Sequence, residues 1–134
     1  MNILRSFASK VCMKIARFED LEAWRIAREL TKLVYCTMNN SSIGRDFRLR
    51  DQMGAAALSV MNNVAEGFDS QSDWEFVRFL GYSRRSCSEV QNCLYVALDQ
   101  DRISDKTFQQ LYDAAQRARQ VIDGLIRYLR RSKS

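Results

Sequence analysis

Histidine and proline are both absent from this 134-residue chain. Without histidine, the usual serine and cysteine triads, His-ligated haem and the Glu-x-x-His motif of di-iron bundles are excluded. Without proline nothing interrupts a long helix, because only an interior proline both removes a backbone donor and clashes with the preceding turn. Glycine is scarce, at five and scattered, so no Gly-rich phosphate loop is present. No apolar run approaches the ~18–20 residues of a membrane span, and no membrane partner is expected.

Cysteine is limited to Cys12, Cys36, Cys87 and Cys93, with no CxxC pair. On one helix Cys87 and Cys93 point about 120° apart, which rules out a bridge between them. Free thiols packed as small hydrophobes fit a reducing cytoplasm. No metal or other cofactor is expected, and carboxylates do not cluster on core-facing positions, so the chain reads as a non-enzyme.

The net charge of +5 is unevenly spread. Arg5, Lys10, Lys14 and Arg17 stand without an acid in residues 1–17, and Arg127, Arg130, Arg131 and Lys133 do the same in 127–134, leaving −3 for residues 18–126. Basic ends either bind phosphate backbones or stand solvated. The opening MNILRSFASKVC lacks a continuous apolar stretch and a clear cleavage site. Met13 reads as a second plausible start, so residues 1–14 are expected to be a flexible extension, 15–131 the folded domain and 132–134 a short tail.

Apolar residues recur at spacings of three and four throughout that domain. The first helix is expected from Asp20, as its cap, to Asn39, with Leu21, Trp24, Ala27, Leu30 or Thr31, Val34 and Met38 inward. The second runs from Asp46 to Phe68 with Leu49, Met53, Ala56, Val60, Val64 and Ala65 inward, and Gly67 suits a left-handed cap at its end. The third opens on a capping box, Ser72 with Glu75, and reaches about Asp101; its stripe is Phe76, Leu80, Ser83, Cys87, Val90, Leu94 and Ala97. The fourth runs from Ser104 to Arg130 on the seam Phe108, Leu111, Ala115, Ala118, Ile122, Leu125 and Leu129. Four long helices on short loops predict an all-α, antiparallel up-down-up-down four-helix bundle.

Three clusters go beyond the core. Phe76, Val77, Phe79, Leu80 and Tyr82, with Trp74 just before them, cover more of the third helix than one core stripe needs. Trp74, Val77, Phe79 and Tyr82 are therefore expected at a contact between copies of the chain. Arg45, Arg48 and Arg50, then Arg84 and Arg85, then Arg127, Arg130 and Arg131, are candidate phosphate contacts, though Asp46, Asp51 and Glu89 interleave with them and no aromatic stands evidently beside them. Glu66, Gly67, Ser72 and Glu75 form a structural corner; Glu66 sits at the wrong end of its helix for an anion, so a partner such as Arg78 or a backbone N–H is expected.

The stretches ARFEDLEAWRIARELTKLVY, QMGAAALSVMNNVAEGF and SDWEFVRFLGYSRRSCSEV resemble the bacterial four helix bundle protein family. That family includes proteins encoded in intervening sequences of large-subunit ribosomal RNA genes and is similar to the accessory variability proteins of diversity-generating retroelements. Phe18, Leu21, Trp24, Gln52, Asn63, Ala65, Glu66, Gly67, Glu75, Phe76, Phe79, Leu80 and Glu89 carry the resemblance. It implies a ring-like homopentamer with a non-enzymatic interaction or scaffold role. For the retroelement relatives it implies nucleic-acid binding beside a reverse transcriptase. The chain departs from the pattern at Met61, where members usually have proline, and at Gly54 and Ala55, where many carry a basic pair.

Overall fold

The computed structural model describes residues 15–131. The expected extension 1–14, the tail 132–134 and Cys12 lie outside those residues. Four helices account for nearly all of the described chain: α1 (Glu22–Asn39), α2 (Phe47–Phe68), α3 (Asp73–Asp99) and α4 (Asp105–Arg131), with short 3-10 turns at Phe18–Asp20 and Ser42–Arg45. No strand occurs among the described residues.

Side-chain caps set three of the four helix starts. The Leu49 N–H donates to Asp46 Oδ1 at 3.2 Å, the Glu75 N–H to Ser72 Oγ at 3.1 Å, and the Thr107 N–H to Ser104 Oγ at 3.1 Å. Each satisfies one of the four donors a helix leaves open at its N-terminus. The expected box at Ser72 is only half built, because the Glu75 carboxylate turns to Arg78 Nε at 3.5 Å. Asp20 does not cap α1 either. It lies in the preceding 3-10 turn, and its Oδ1 takes Arg17 Nε at 3.4 Å and Arg25 Nη2 at 3.7 Å, so α1 opens on Leu21 with no side-chain cap.

The C-terminal ends differ from expectation in two places. Gly67 is not a left-handed cap: α2 continues through it to Phe68, and no glycine among the described residues has a positive φ. Its role is close approach, since a Cβ there would come within 2.9 Å of both Phe76 Cδ1 and Phe79 Cβ. The left-handed residue is instead Asp101, at φ 57°, just beyond the end of α3 at Asp99. There the Arg102 N–H donates to Ala97 O at 2.8 Å and the Asp101 N–H to Leu98 O at 3.0 Å, the paired bonds of a Schellman ending.

Each helix packs on its sequence neighbour, and α1 also packs on α4. The α3 stripe is buried as expected from Phe76 to Ala97. Elsewhere the inward positions drift: Ala57 is buried and Ala65 only half-buried in α2, and Ile126 takes the place of Leu125 in α4. A 3.6-residue turn slips against a fixed seven-residue repeat, so the fourth step after Ile122 points inward more fully than the third. Trp24 and Phe108 are half-buried at the rim. Each fully buried Leu, Ile or Val contributes about 1.5–3 kcal/mol.

Buried hydroxyls tie the helices together. Thr31 Oγ1 donates to Ala27 O at 2.9 Å and across to Ala57 O at 3.2 Å. Ser83 Oγ donates to Val60 O at 2.8 Å, and Ser86 and Ser59 share a hydroxyl bond at 2.8 Å. Between α3 and α4, Arg84 Nε donates to Asp123 Oδ1 at 2.6 Å, Arg119 Nη1 to Ser88 Oγ at 3.3 Å and Gln91 Nε2 to Gln116 Oε1 at 3.1 Å.

Candidate interaction face

Sending Phe76, Leu80, Ser83, Cys87, Val90 and Leu94 into the core fixes what α3 shows to the outside. At about 100° per residue, Trp74, Arg78, Gly81, Arg85, Asn92 and Val96 fall on the opposite side. Trp74 is 62% exposed and Val96 44%. Two grooves adjoin this strip and meet at Arg85. One, of about 480 Å³, is lined by Trp74, Val77, Arg78, Gly81, Tyr82 and Arg85 with Arg130 of α4. The other, of about 670 Å³, lies toward α2, with Leu49, Cys93 and Val96 among its apolar lining and Arg48, Gln52, Glu89 and Asn92 among its polar lining.

Guanidinium groups and rings interleave in the first groove. The Arg78 carbon lies 5.6 Å from the Trp74 ring centre and 5.8 Å from those of Phe79 and Tyr82; Arg85 lies 5.3 Å from Tyr82. These are cation–π distances. The sequence suggested no aromatic beside the arginines, and Tyr82 corrects that: it lies one helical turn before Arg85 and one after Arg78, and both guanidinium groups approach its ring.

The eight candidate arginines separate into groups. Arg84 is engaged with Asp123 across to α4. Arg50 donates to Gly44 O, meets Asp51 at 3.4 Å and covers the Phe47 ring at 4.7 Å. Arg45, Arg127 and Arg131 are exposed and line neither groove. Arg48, Arg85 and Arg130 line the grooves and make no ion pair among the described residues.

The four residues expected between copies of the chain are unequal. Val77, Phe79 and Tyr82 are half-buried within the chain itself; Val77 packs on the core, and Phe79 meets Tyr82 edge-on at 6.1 Å. Only Trp74 stands fully out. At the corner, Glu66 is exposed and makes no ion pair among the described residues, because its expected partner Arg78 goes to Glu75. Helix α2 therefore ends on packing at Gly67, not on an ionic clamp at Glu66.

Sequence reasoning missed a second aromatic group. Tyr95 lies 4.9 Å from Phe108 and 6.0 Å from Tyr112, and the latter two stack at 5.5 Å. The 108/112 spacing was a readable signal; the partner on α3 was not. Also missed was the pair Arg102 Nε–Asp46 Oδ2 at 3.7 Å, which joins the α3–α4 turn to the start of α2. At that distance it is an ion pair without a hydrogen bond, and Arg102 Nε has no hydrogen-bond partner among the described residues.

Cys87 and Cys93 are not activated. Burial pushes the Cys87 thiol up to about 12, against the smaller opposing pull of the Arg119 guanidinium, and Cys93 is raised by burial and then by Glu89. Both stay protonated near neutral pH and are poor nucleophiles. Among the described residues no three side chains group to hold a metal ion, and no helix is long and apolar enough to cross a membrane.

A family model described as 23S rRNA-intervening sequence protein matches residues 19–124. The chain belongs to that family. The match takes in α1, α2, α3 and α4 as far as Gly124, so Trp74, Arg78, Tyr82 and Arg85 lie on the intervening-sequence protein's shared scaffold. Arg127, Arg130 and Arg131 fall beyond it. None of the curated proteins compared with the chain matches it.

Proposed function

We propose that this intervening-sequence protein is a non-enzymatic, cytoplasmic interaction protein that assembles as a homopentamer of antiparallel up-down-up-down bundles. The antiparallel reading is supported by registers that run in opposite directions: Gly67 lies by Phe79 and Val60 by Ser83, while Arg84 lies by Asp123 and Gln91 by Gln116. The observation that carries assembly is apolar surface left over on the outer faces of α1 and α2, where Leu33 is 43% and Leu58 42% exposed. The Trp74 surface suits self-contact less well. Burying Arg85 and Arg130 there without acidic partners would cost several kcal/mol per ion. Light scattering tests the reading: a mass near five times 15.6 kDa supports it, and a single-chain mass overturns it.

A second reading is favoured by the arginine–aromatic groove. In it the protein is a nucleic-acid-binding accessory factor, acting beside a reverse transcriptase or on ribosomal RNA. A ring would present that groove several times over, raising avidity without any new contact. Fluorescence anisotropy across a salt series tests it, because phosphate contacts give a log affinity that falls linearly with log salt. Failure to bind structured RNA or duplex DNA or single strands at low salt overturns it.

A further inference from the structure

We infer that the groove formed by Trp74, Tyr82 and Arg85 of α3 with Arg130 of α4 takes single-stranded nucleic acid, with bases stacked on the rings and phosphates on the two arginines. This deepens the nucleic-acid reading above and rests on it.

Duplex binding needs cations that reach phosphates, and it has no use for an exposed ring, because paired bases already stack on each other. Here the groove carries an exposed indole, 62% accessible. Tyr82 stands about two turns further along α3, half-buried and turned about 80° round the helix from Trp74, with the Arg85 guanidinium 5.3 Å from its ring. Trp74 and Tyr82 are eight residues apart, which spaces the two platforms by about 12 Å along the helix. A strand crossing them brings its backbone between Arg85 on one side and Arg130 on the other, and both cations are without an ion pair among the described residues. Arg78, lying between the rings, is already neutralised by Glu75 at 3.5 Å, so it serves as a stacked plane more than as a phosphate clamp. Among the described residues no carboxylate lines this groove. Rings plus flanking cations are the sequence-tolerant way proteins hold unpaired bases.

The test uses the full chain and a fluorescein-labelled mixed-sequence 12-mer, as single-stranded RNA, as single-stranded DNA and as the DNA duplex, compared at matched salt across a salt series. Both single strands are expected to bind at least tenfold more tightly than the duplex, since both present base faces. Trp74→Ala is expected to weaken single-strand binding by about 5- to 150-fold, the worth of one base–aromatic stack. Its salt slope stays unchanged, and Trp74→Phe restores most of the affinity. Arg85→Gln and Arg130→Gln each lower the salt slope by about 0.7. Duplex binding as tight as single-strand binding overturns this inference and leaves the broader reading standing, as does a Trp74→Ala variant with unchanged affinity. No binding of any nucleic acid overturns both. Displacement of the strand by poly-glutamate at equal charge overturns the stacking contact, because that polyanion has no bases to stack.

Discussion

A Cβ on Gly67 would stand 2.9 Å from the Cβ of Phe79, so α2 and α3 touch backbone to side chain where the chain turns between them. Gly67→Ala therefore sets two effects against each other. Alanine gains up to about 1 kcal/mol of helix propensity, but overpacking a closed contact costs about 1–3 kcal/mol. Phe76 and Phe79 are anchored in the corner, and Phe76 O is also 3.3 Å from the added carbon, so the clash wins. The expected result is a net loss of about 1–2 kcal/mol in urea unfolding. Gly81→Ala is the counterpart: its Cβ meets nothing within 4 Å, and a gain of about 0.5–1 kcal/mol is expected. Equal effects at the two sites would refute the close-approach account.

Asp101 offers a second backbone test. Its φ of 57° is unfavourable for a residue with a Cβ, and the Schellman bonds of Arg102 and Asp101 hold it there. Asp101→Gly keeps those bonds and relieves about 1 kcal/mol of left-handed strain, offset in part by the greater freedom of glycine in the unfolded chain. A rise in melting temperature is expected. A fall would mean that the Asp101 side chain holds the turn itself.

Helix number, helix order and most of the core were legible because a three-and-four spacing over more than twenty residues has one physical reading. Every residue expected in the α3 stripe from Phe76 to Ala97 is buried, polar Ser83 included, because the period outweighs the polarity of one residue; buried Ser86 and Gln91 beside it were missed. What was not legible depended on distance across the fold. Gly67 looks like a cap from its place near a helix end, and only the position of Phe79 on another helix shows that it is a contact. Asp20 looks like a cap from its type, yet nearby Arg17 and Arg25 compete for its carboxylate. Among the arginines, sequence gives a charge cluster, but which charges are neutralised is decided by partners such as Asp123, 39 residues beyond Arg84.

Adjacent Arg84 and Arg85 make opposite predictions. Arg84 bonds Asp123 at 2.6 Å across α3 and α4, with 40% of its side chain exposed. Discounted for solvent, its coupling to Asp123 is about 1 kcal/mol, measured by a double-mutant cycle with alanine at each position. Arg84→Ala is expected to lower stability and leave the salt slope of nucleic-acid binding alone. Arg85→Ala is expected to change stability by no more than about 0.5 kcal/mol and to reduce that slope. The reverse pattern would place Arg84 in the interaction face and Arg85 in the scaffold.

Cys87 ties stability to alkaline pH. Burial raises its thiol from an ordinary 9.0 to about 12 in the folded chain. Between those values the unfolded chain has lost the proton and the folded chain still holds it. Folding is then opposed by about 1.4 kcal/mol per pH unit. The contribution is fully present below pH 9 and is lost as pH climbs toward 12. Other groups titrate in the same window, so the informative quantity is a difference. Cys87→Ala removes the thiol and leaves a small void, lowering stability at pH 7.5. Between pH 9 and 10.5 the parent is expected to lose about 2 kcal/mol more than the variant, so their urea midpoints converge or cross. Parallel curves through pH 10.5 would mean that Arg119 and Arg84, both close enough to pull the thiolate's way, cancel the burial of the sulfur.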